Sequence, residues 1–326
     1  MRVLVTGGAG YIGSHTAKRL AQVGFEPVTL DNLGAGHRWA VQWGPFIAGD
    51  LANAALLQQV LGEHRVEAVV HFAANAYVGE SMHEPRKYFH NNVTNSLNLL
   101  EAMLDAGVKR IVFSSSCATY GVPQHVPIAE DHPQHPVNPY GESKLFVERT
   151  LHWYGKAYNL DWMSLRYFNA AGADPDGELG EVHDPETHLI PIVLETAAGE
   201  RSAVPVLGTD YPTPDGTAIR DYIHVTDLAE AHVLALKYLV DGRNSLALNL
   251  GTGHGHSVQQ VVRAAQLITG REIAVANSPR REGDPPELVA DPSRAQTILG
   301  WTPKHSELGF IIESAWRWQQ RHAASD

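Results

Sequence analysis

Tyr140 and Lys144 stand four residues apart in PYGESK, a spacing that puts both side chains on one face of a helix. A free tyrosine ionises near pH ~10, so a tyrosine base at neutral pH needs a neighbouring positive charge. The lysine predicts such a phenol, lowered by an adjacent ammonium and able to take and return a hydroxyl proton. Ser116 ends the run RIVFSSS upstream, where its hydroxyl can hydrogen-bond the substrate oxygen that Tyr140 titrates. A tyrosine and a lysine at this spacing are usually surface residues. The serine-terminated strand and a glycine cluster at the start of the chain give this pair a different meaning.

That cluster is Gly7, Gly10 and Gly13 in TGGAGYIGSH, between an apolar run and a helix-spaced segment. The three glycines allow a tight turn, close backbone approach to a pyrophosphate, and close helix-to-strand packing, with a helix amino terminus facing the negative charge. Asp31 closes the second strand, 18 residues past Gly13, where a carboxylate accepts from ribose hydroxyls and repels a 2′-phosphate. NAD is therefore favoured over NADP. Asp50 ends the third strand and either faces the adenine edge or caps a helix from Leu51 onward.

The elements that must position these residues alternate along the chain. Val3–Thr6, Pro27–Asp31, Phe46–Gly49, Ala68–Ala73, Arg110–Ser114 and Trp162–Phe168 read as strands. Tyr11–Val23, Leu51–Leu61, Asn91–Met103 and Glu142–Ala157 read as helices. Runs apolar on both faces and joined by helices predict an α/β fold, a Rossmann-type doubly wound parallel sheet with a smaller carboxy-terminal α/β lobe for substrate. Residues 1–170 form the expected NAD-binding domain, segments around 218–253 return to it, and 171–326 mainly form the lobe. Ala170–Thr187 and Pro205–Ile219 read as loops. Ile190–Ala198, Val225–Leu239, Val258–Ile268 and Pro292–Leu299 read as helices, with a ligand cleft at the carboxyl ends of the strands.

Lys plus Arg number 25 against 36 Asp plus Glu, a net charge of −11 with no basic stripe, so no nucleic-acid partner is expected. No apolar run approaches a membrane span, and MRVLVTGGAG lacks the features of a secretory signal. The single cysteine, Cys117, cannot form an intrachain disulfide and reads as a small buried filler. A cytoplasmic protein is the expectation. Of the 18 histidines, His183 and His188 flank Asp184, and His254 and His256 lie two apart. Neither set has a third partner at a recognised ligand spacing, so no metal is expected. His224 reads as a packing residue.

The stretches TGGAGYIGSH, HFAA, SSSCATYG, NPYGESK, RYFNAAG, HLIP, DGTAIRDYIHVTDLA, NLGTG and RREGD together resemble the extended short-chain dehydrogenase/reductases, and more closely the UDP-glucose 4-epimerase family. RYFNAAG, DGTAIRDYIHVTDLA and RREGD make the match specific to nucleotide-sugar enzymes, and the resemblance runs through nearly the whole chain. It implies Tyr140 as base, Lys144 as its partner on the nicotinamide ribose, and Ser116 as the bridge to sugar O4. It implies NAD contacts from Gly7, Gly10, Tyr11, Ile12, Gly13, Asp31, Asn32, Asp50 and Leu51. Phe72, Ala73, Asn92, Ser114 and Tyr167 complete that set. For a UDP-sugar it implies Asn169, His188, Leu189 and the phosphate-clamping Arg220 and Arg281, with Asp284 on the uridine ribose and Leu288 as a gate beside the sugar.

The resemblance further implies interconversion of UDP-glucose and UDP-galactose through a bound 4-keto sugar, with side activity on UDP-N-acetylhexosamines. It also implies a homodimer through a four-helix interface, for which Leu100, Met103, Phe146 and Leu151 are the expected outward apolar residues. One departure is Ala76, where the best-known bacterial type carries a cofactor-contacting lysine; HFAANAYVGES and SSCATYG instead resemble a branch that includes UDP-xylose/UDP-arabinose enzymes. Ser116, Cys117 and Ala118 lack the acid pair of the sugar-nucleotide dehydratases. An NAD(P)-dependent nucleotide-sugar reductase and a catalytically silent NAD-binding sensor are the rival readings.

Overall fold

The computed structural model describes residues 1–281 and 284–323, so Glu282 and Gly283 of RREGD lie outside the described residues. Strands β1 (Arg2–Thr6), β2 (Glu26–Asp31), β3 (Phe46–Ala48), β4 (Ala68–His71), β5 (Arg110–Ser116) and β6 (Asp161–Tyr167) follow one another along the chain. Four short strands come next: β7 (Asn169–Ala171), β8 (Val204–Leu207), β9 (Ile219–Arg220) and β10 (Tyr222–His224). Then come β11 (Leu246–Leu250), β12 (His256–Ser257), β13 (Val275–Ser278) and β14 (Glu287–Leu288). Seven of them build one parallel sheet in the order β11-β6-β5-β4-β1-β2-β3. The order reverses between β1 and β4, which opens a crevice at their carboxyl ends.

Strand alternation decides how the sheet is covered. Val3 and Val5 of β1 join one core cluster and Leu4 the other; Val70 and Val69 of β4 divide the same way. Helices α1 (Tyr11–Gln22), α2 (Ala54–Glu63), α3 (Val78–His83), α4 (Pro85–Tyr88), α5 (Asn95–Asp105) and α6 (Pro139–Tyr158) precede α7 (Leu189–Ala198) and α8 (Val225–Val240). Leu20 of α1 and Leu228, Leu236 and Leu239 of α8 cover one face, while Leu57 of α2, Leu99 of α5 and Val147 of α6 cover the other. The chain continues through α9 (Val258–Thr269), α10 (Ser293–Leu299) and α11 (Leu308–Ala323). A third cluster joins Val193 of α7, Val261 of α9 and Ile311 of α11 with Tyr222 and Val204. Smaller sheets, β12-β9-β14, β10-β7 and β13-β8, run beside it. No helix among the described residues is long and apolar enough to cross a membrane.

Several boundaries differ from the sequence expectation. The second helix-spaced segment starts at Ala54, not Leu51, because the Asn53 side chain caps it by accepting the Leu56 N–H at 3.1 Å. Both long loops contain strands, Asn169–Ala171 and Val204–Leu207, which pair with sequence-distant partners that local composition does not reveal. Leu100, Met103 and Leu151 were expected to face outward, but they are buried in the core cluster under α5 and α6; Phe146 alone of the four is exposed. Amphipathic spacing fixes which residues share a face, not which of two apolar faces meets the sheet.

Met103 is fully buried, so Met103→Ala is expected to lower the unfolding free energy by about 2–5 kcal/mol in denaturant titration, with sedimentation unchanged. Intact stability with an altered assembly state would place Met103 at an interface instead.

Candidate active site

Helix α6 starts at Pro139, three residues before the Glu142 expected from the sequence. Pro139 occupies the first turn, and the Asn138 side chain accepts the Gly141 N–H at 2.8 Å. Tyr140 and Lys144 then face the end of β5 and are both buried. The Lys144 Nζ donates to the Ser114 carbonyl at 2.8 Å, and it stands 5.0 Å from the Phe113 ring centroid and 5.8 Å from that of Tyr140. The Ser116 hydroxyl hydrogen-bonds the Tyr140 phenol and also accepts the Ala118 N–H at 3.1 Å. Ser114 Oγ shares a short hydrogen bond with the Tyr167 phenol, so one serine anchors both Lys144 and Tyr167.

Burial dominates the electrostatics here. It pushes the Tyr140 phenol up to about 12, with the Ser116 hydrogen bond working against it. It pulls the Lys144 ammonium down to about 7, with Glu148 working against it. In the protein alone, desolvation thus drives the two groups in opposite directions, phenol up and ammonium down.

Two supports hold this group: Asn92, which the sequence already singles out, and a buried ion pair, which it does not. Asn92 lies on a π-helical turn, Phe89–Thr94, a widening often found beside functional sites. Its amide donates to the Asn75 carbonyl and to Ser143 Oγ, each at 3.0 Å, and its oxygen accepts the Asn75 N–H at 2.8 Å. Asn92 thus ties the loop after β4 to the helix carrying Tyr140. Behind that helix, Arg166 binds the Glu148 carboxylate with Nη2–Oε2 at 2.6 Å, both groups buried, and Arg166 also donates to the Tyr120 phenol at 2.9 Å. Such a pair cannot lose one member without stranding a buried charge.

The glycine turn lies at the β1/β4 crevice. A side chain at Gly7 would come within 2.6 Å of the Ala73 N–H nitrogen, and one at Gly13 within 2.2 Å of the Gly7 carbonyl. Backbone therefore approaches backbone where a bulky ligand must pass. Gly10 precedes α1 without a side-chain cap, and the first turn has no acid, which leaves the helix amino terminus to an external anion. Asp31 is buried; one oxygen accepts the Ala9 N–H at 3.0 Å and the other the Leu33 N–H at 2.8 Å. Each oxygen keeps a second lone pair. Asp50 accepts from the Asn32 amide at 2.6 Å and from the Ala52 N–H at 2.8 Å, so it organises a turn and is not the cap of α2. The Asn98 amide donates to the Leu51 carbonyl at 3.2 Å, and the Phe72 ring lies tilted against His232 with 4.7 Å between centroids. Ile12 packs against the core, and the Tyr11 phenol donates to the Gly172 carbonyl at 2.5 Å. These residues fit a dinucleotide.

On the other side, β9 carries Arg220 beside Leu288 of β14, and β7 carries Asn169 beside Tyr222 of β10. Arg220 is buried and binds Asp284 at 2.6 Å and the Pro285 carbonyl at 2.9 Å. Burial pushes the Cys117 thiol up to about 12, with the charge of the Arg220 guanidinium working against it. Cys117 is a buried filler with Tyr120, Ile128, Phe168 and Ala290, and Leu288 packs on the same cluster. Leu189 begins α7, and the half-buried His188 precedes it. Arg281 is exposed, and its carbonyl accepts the Asp284 N–H at 3.3 Å. Asp221, unremarked in the sequence, accepts Thr252, Gly253 and Ala290 N–H groups at 2.9–3.2 Å and so joins NLGTG to the segment after β14. His224 is a packing residue, capping α8 and contacting Ser314 at 3.1 Å, with burial lowering it to about 3.

The NAD dependent epimerase/dehydratase family model matches residues 3–251, which include the glycine turn and the Ser116, Tyr140, Lys144 group. The chain belongs to this family. It is 52% identical over 323 residues to the UDP-glucose 4-epimerase of Lacticaseibacillus casei, covering 99% of this chain and 98% of that protein. The crystal structure of the Brucella ovis UDP-glucose 4-epimerase in complex with NAD superposes with a TM-score of 0.95 at 53% identity, covering 97% of each chain. The Stenotrophomonas maltophila UDP-glucose-4-epimerase, with bound NAD and formylated UDP-arabinopyranose, matches with a TM-score of 0.96 at 42% identity over the whole of both chains.

A lysine near 7 in the fold and 10.5 when unfolded is deprotonated first in the folded chain, so its stability penalty is full below about pH 7 and fades as pH rises toward 10.5. The unfolding free energy of the native chain minus that of Lys144→Met is expected to rise across that window in denaturant titrations. A flat difference contradicts a buried, destabilised ammonium.

Proposed function

We propose that this chain interconverts UDP-glucose and UDP-galactose, with NAD retained from one turnover to the next. The observation that carries the reading is the burial of Tyr140, Lys144 and Ser116 together at the end of β5, facing the side where Arg220 and Leu288 lie. Bound NAD would supply the reversible two-electron chemistry that C4 of the sugar requires. Tyr140 takes the 4-hydroxyl proton, with Ser116 bridging to the oxygen, and later returns it. Lys144 supplies the positive charge that offsets a phenolate. Arg220 and Asn169 hold the diphosphate while the 4-keto sugar turns to present its other face, with Arg281, His188 and Leu189 beside it and Asp284 on the ribose. Gly7, Gly10 and Gly13 hold the pyrophosphate of NAD, and Asp31 binds its adenosine ribose. In this reading residues 1–170 and the segments around 218–253 carry NAD, and most of 171–326 carries the UDP-sugar.

Leu288 packs on the cluster that holds Cys117 and Phe168, the chain neighbours of Ser116 and Asn169, which suits a gate beside the sugar. A leucine there leaves more room than a tyrosine and admits a 2-acetamido group. The UDP-arabinopyranose derivative named for the Stenotrophomonas relative supports pentose turnover as well, since a pocket rejects a smaller substrate weakly. Exposed Phe146 and Trp153 on α6 support a homodimer built on α5 and α6, with two helices from each subunit. The single cysteine suits a reducing cytoplasm.

Purified protein is expected to release NAD or NADH on denaturation and to interconvert the two UDP-hexoses with no cofactor added; absence of both, even after NAD is supplied, refutes the assignment. In the same assay Leu288→Tyr is expected to lower the UDP-N-acetylgalactosamine to UDP-galactose rate ratio. An unchanged ratio removes Leu288 as the gate.

A further inference from the structure

The segment between β7 and α7 holds a second cluster, of which the proposed reaction calls only on His188. His183 and His188 were read from the sequence as lacking a third ligand, but the fold brings Glu181 and Glu186 to them. One donor atom from each of Glu181, His183, Glu186 and His188 lies within 4.8 Å of all the others. His188 Nδ1 stands 2.9 Å from Glu181 Oε1 and 2.9 Å from Glu186 Oε1. His183 Nδ1 stands 3.2 Å from Glu181 Oε1 and 3.5 Å from Glu186 Oε2. A tetrahedral ion bonded to nitrogen and oxygen at ~2.0–2.2 Å needs its donors ~3.3–3.6 Å apart, so a small contraction or expansion of this set suffices.

A second observation concerns direction. His183 Nδ1 is sealed from solvent and makes no hydrogen bond, although two carboxylate oxygens flank it. It lies within 3.5 Å of both oxygens without a hydrogen bond aligned to either, an arrangement open to a shared cation. The groups around it are already oriented: Glu186 Oε1 accepts the Thr187 and His188 N–H groups, each at 2.7 Å, and the Tyr77 ring lies against both imidazoles at 6.0 and 6.2 Å.

The neighbouring acidic cluster, Asp174, Asp176 and Glu178, provides a contrast. Lys18 Nζ already sits among its oxygens at 2.8, 3.0 and 2.7 Å, so that cluster has its cation. The groups paired with Glu181 and Glu186 are imidazoles, which are themselves ligands.

We propose that Glu181, His183, Glu186 and His188 form a binding site for a borderline divalent transition-metal ion, Zn2+ foremost. Two imidazoles and two carboxylates suit that class better than Mg2+ or Ca2+, which prefer all-oxygen sets. The ion ties the segment to α7 and, through the Val182 carbonyl that accepts His37 Nε2 at 3.0 Å, to the loop after β2 at the cofactor crevice. Its role is structural: it fixes the cover of the crevice and takes no part in the proton transfer at Tyr140.

The test uses the full chain, stripped with chelator and titrated with ZnCl2 by calorimetry and with CoCl2 by visible absorption. The expected result is one equivalent of Zn2+ per chain, Co2+ bands of tetrahedral intensity that Zn2+ bleaches, and a higher melting temperature with metal. His183→Asn and Glu181→Gln, checked for native circular dichroism, are each expected to weaken binding roughly 100-fold or more, whereas Asp176→Asn in the neighbouring cluster leaves it unchanged. Absence of Zn2+ heat and Co2+ bands in folded protein overturns the site and leaves an ion-pair network. Binding undiminished in both folded variants overturns it equally.

Discussion

Lys144 is an ammonium-bearing side chain that is 3% exposed, and its hydrogen bond to the Ser114 carbonyl sets how helix α6 meets the end of strand β5. The bond is made inside the protein, where an unpaired donor costs far more than at the surface. Both neighbours of that contact follow from it. Ser114 Oγ holds Tyr167 of the next strand, and one turn before Lys144 the Tyr140 phenol meets Ser116 two residues beyond Ser114. The same desolvation that makes the contact expensive separates the affinities of the two groups for protons, pushing tyrosine up and lysine down. Tyr140 therefore needs a positive charge against it before it can take a proton near neutral pH, the charge that a bound nicotinamide ring would add.

Holding that contact requires support from elements far apart in sequence. Glu148, one helical turn beyond Lys144, is locked to Arg166 of β6, while Asn92 pins Ser143 from the opposite side. Helix α6 is thus clamped by a buried ion pair at its back and by an amide at its front. Asp221 does comparable work on the substrate side by drawing the segment after β11 and the segment after β14 to one carboxylate. Arg220, its chain neighbour, is thereby placed near Cys117 and Ser116.

Much of this was legible because the relevant signals are local. Gly7, Gly10 and Gly13, the i,i+4 pair and the strand runs each express a short-range constraint, and the parallel sheet follows from them. The contacts that escaped are those between residues without a shared local pattern: Glu148 with Arg166, Asn92 with Asn75, and Glu181 and Glu186 with two histidines. The misreading of Leu100, Met103 and Leu151 has a related origin, since α5 and α6 are apolar on more than one side and only the packed sheet selects the inner one. Tyr140 illustrates a different limit: spacing identifies the lysine beside it, but the sign of the net shift depends on burial, which spacing does not report.

The central claim is that Tyr140 carries the proton while the rest of the site holds the substrate. The direct measurement pairs steady-state turnover of Tyr140→Phe with UDP affinity by calorimetry. The account predicts turnover lower by roughly 100-fold or more, since a positioned acid or base typically contributes ~10²–10⁴, with UDP affinity preserved. Turnover near that of the native chain, or UDP affinity lost together with activity, would contradict it.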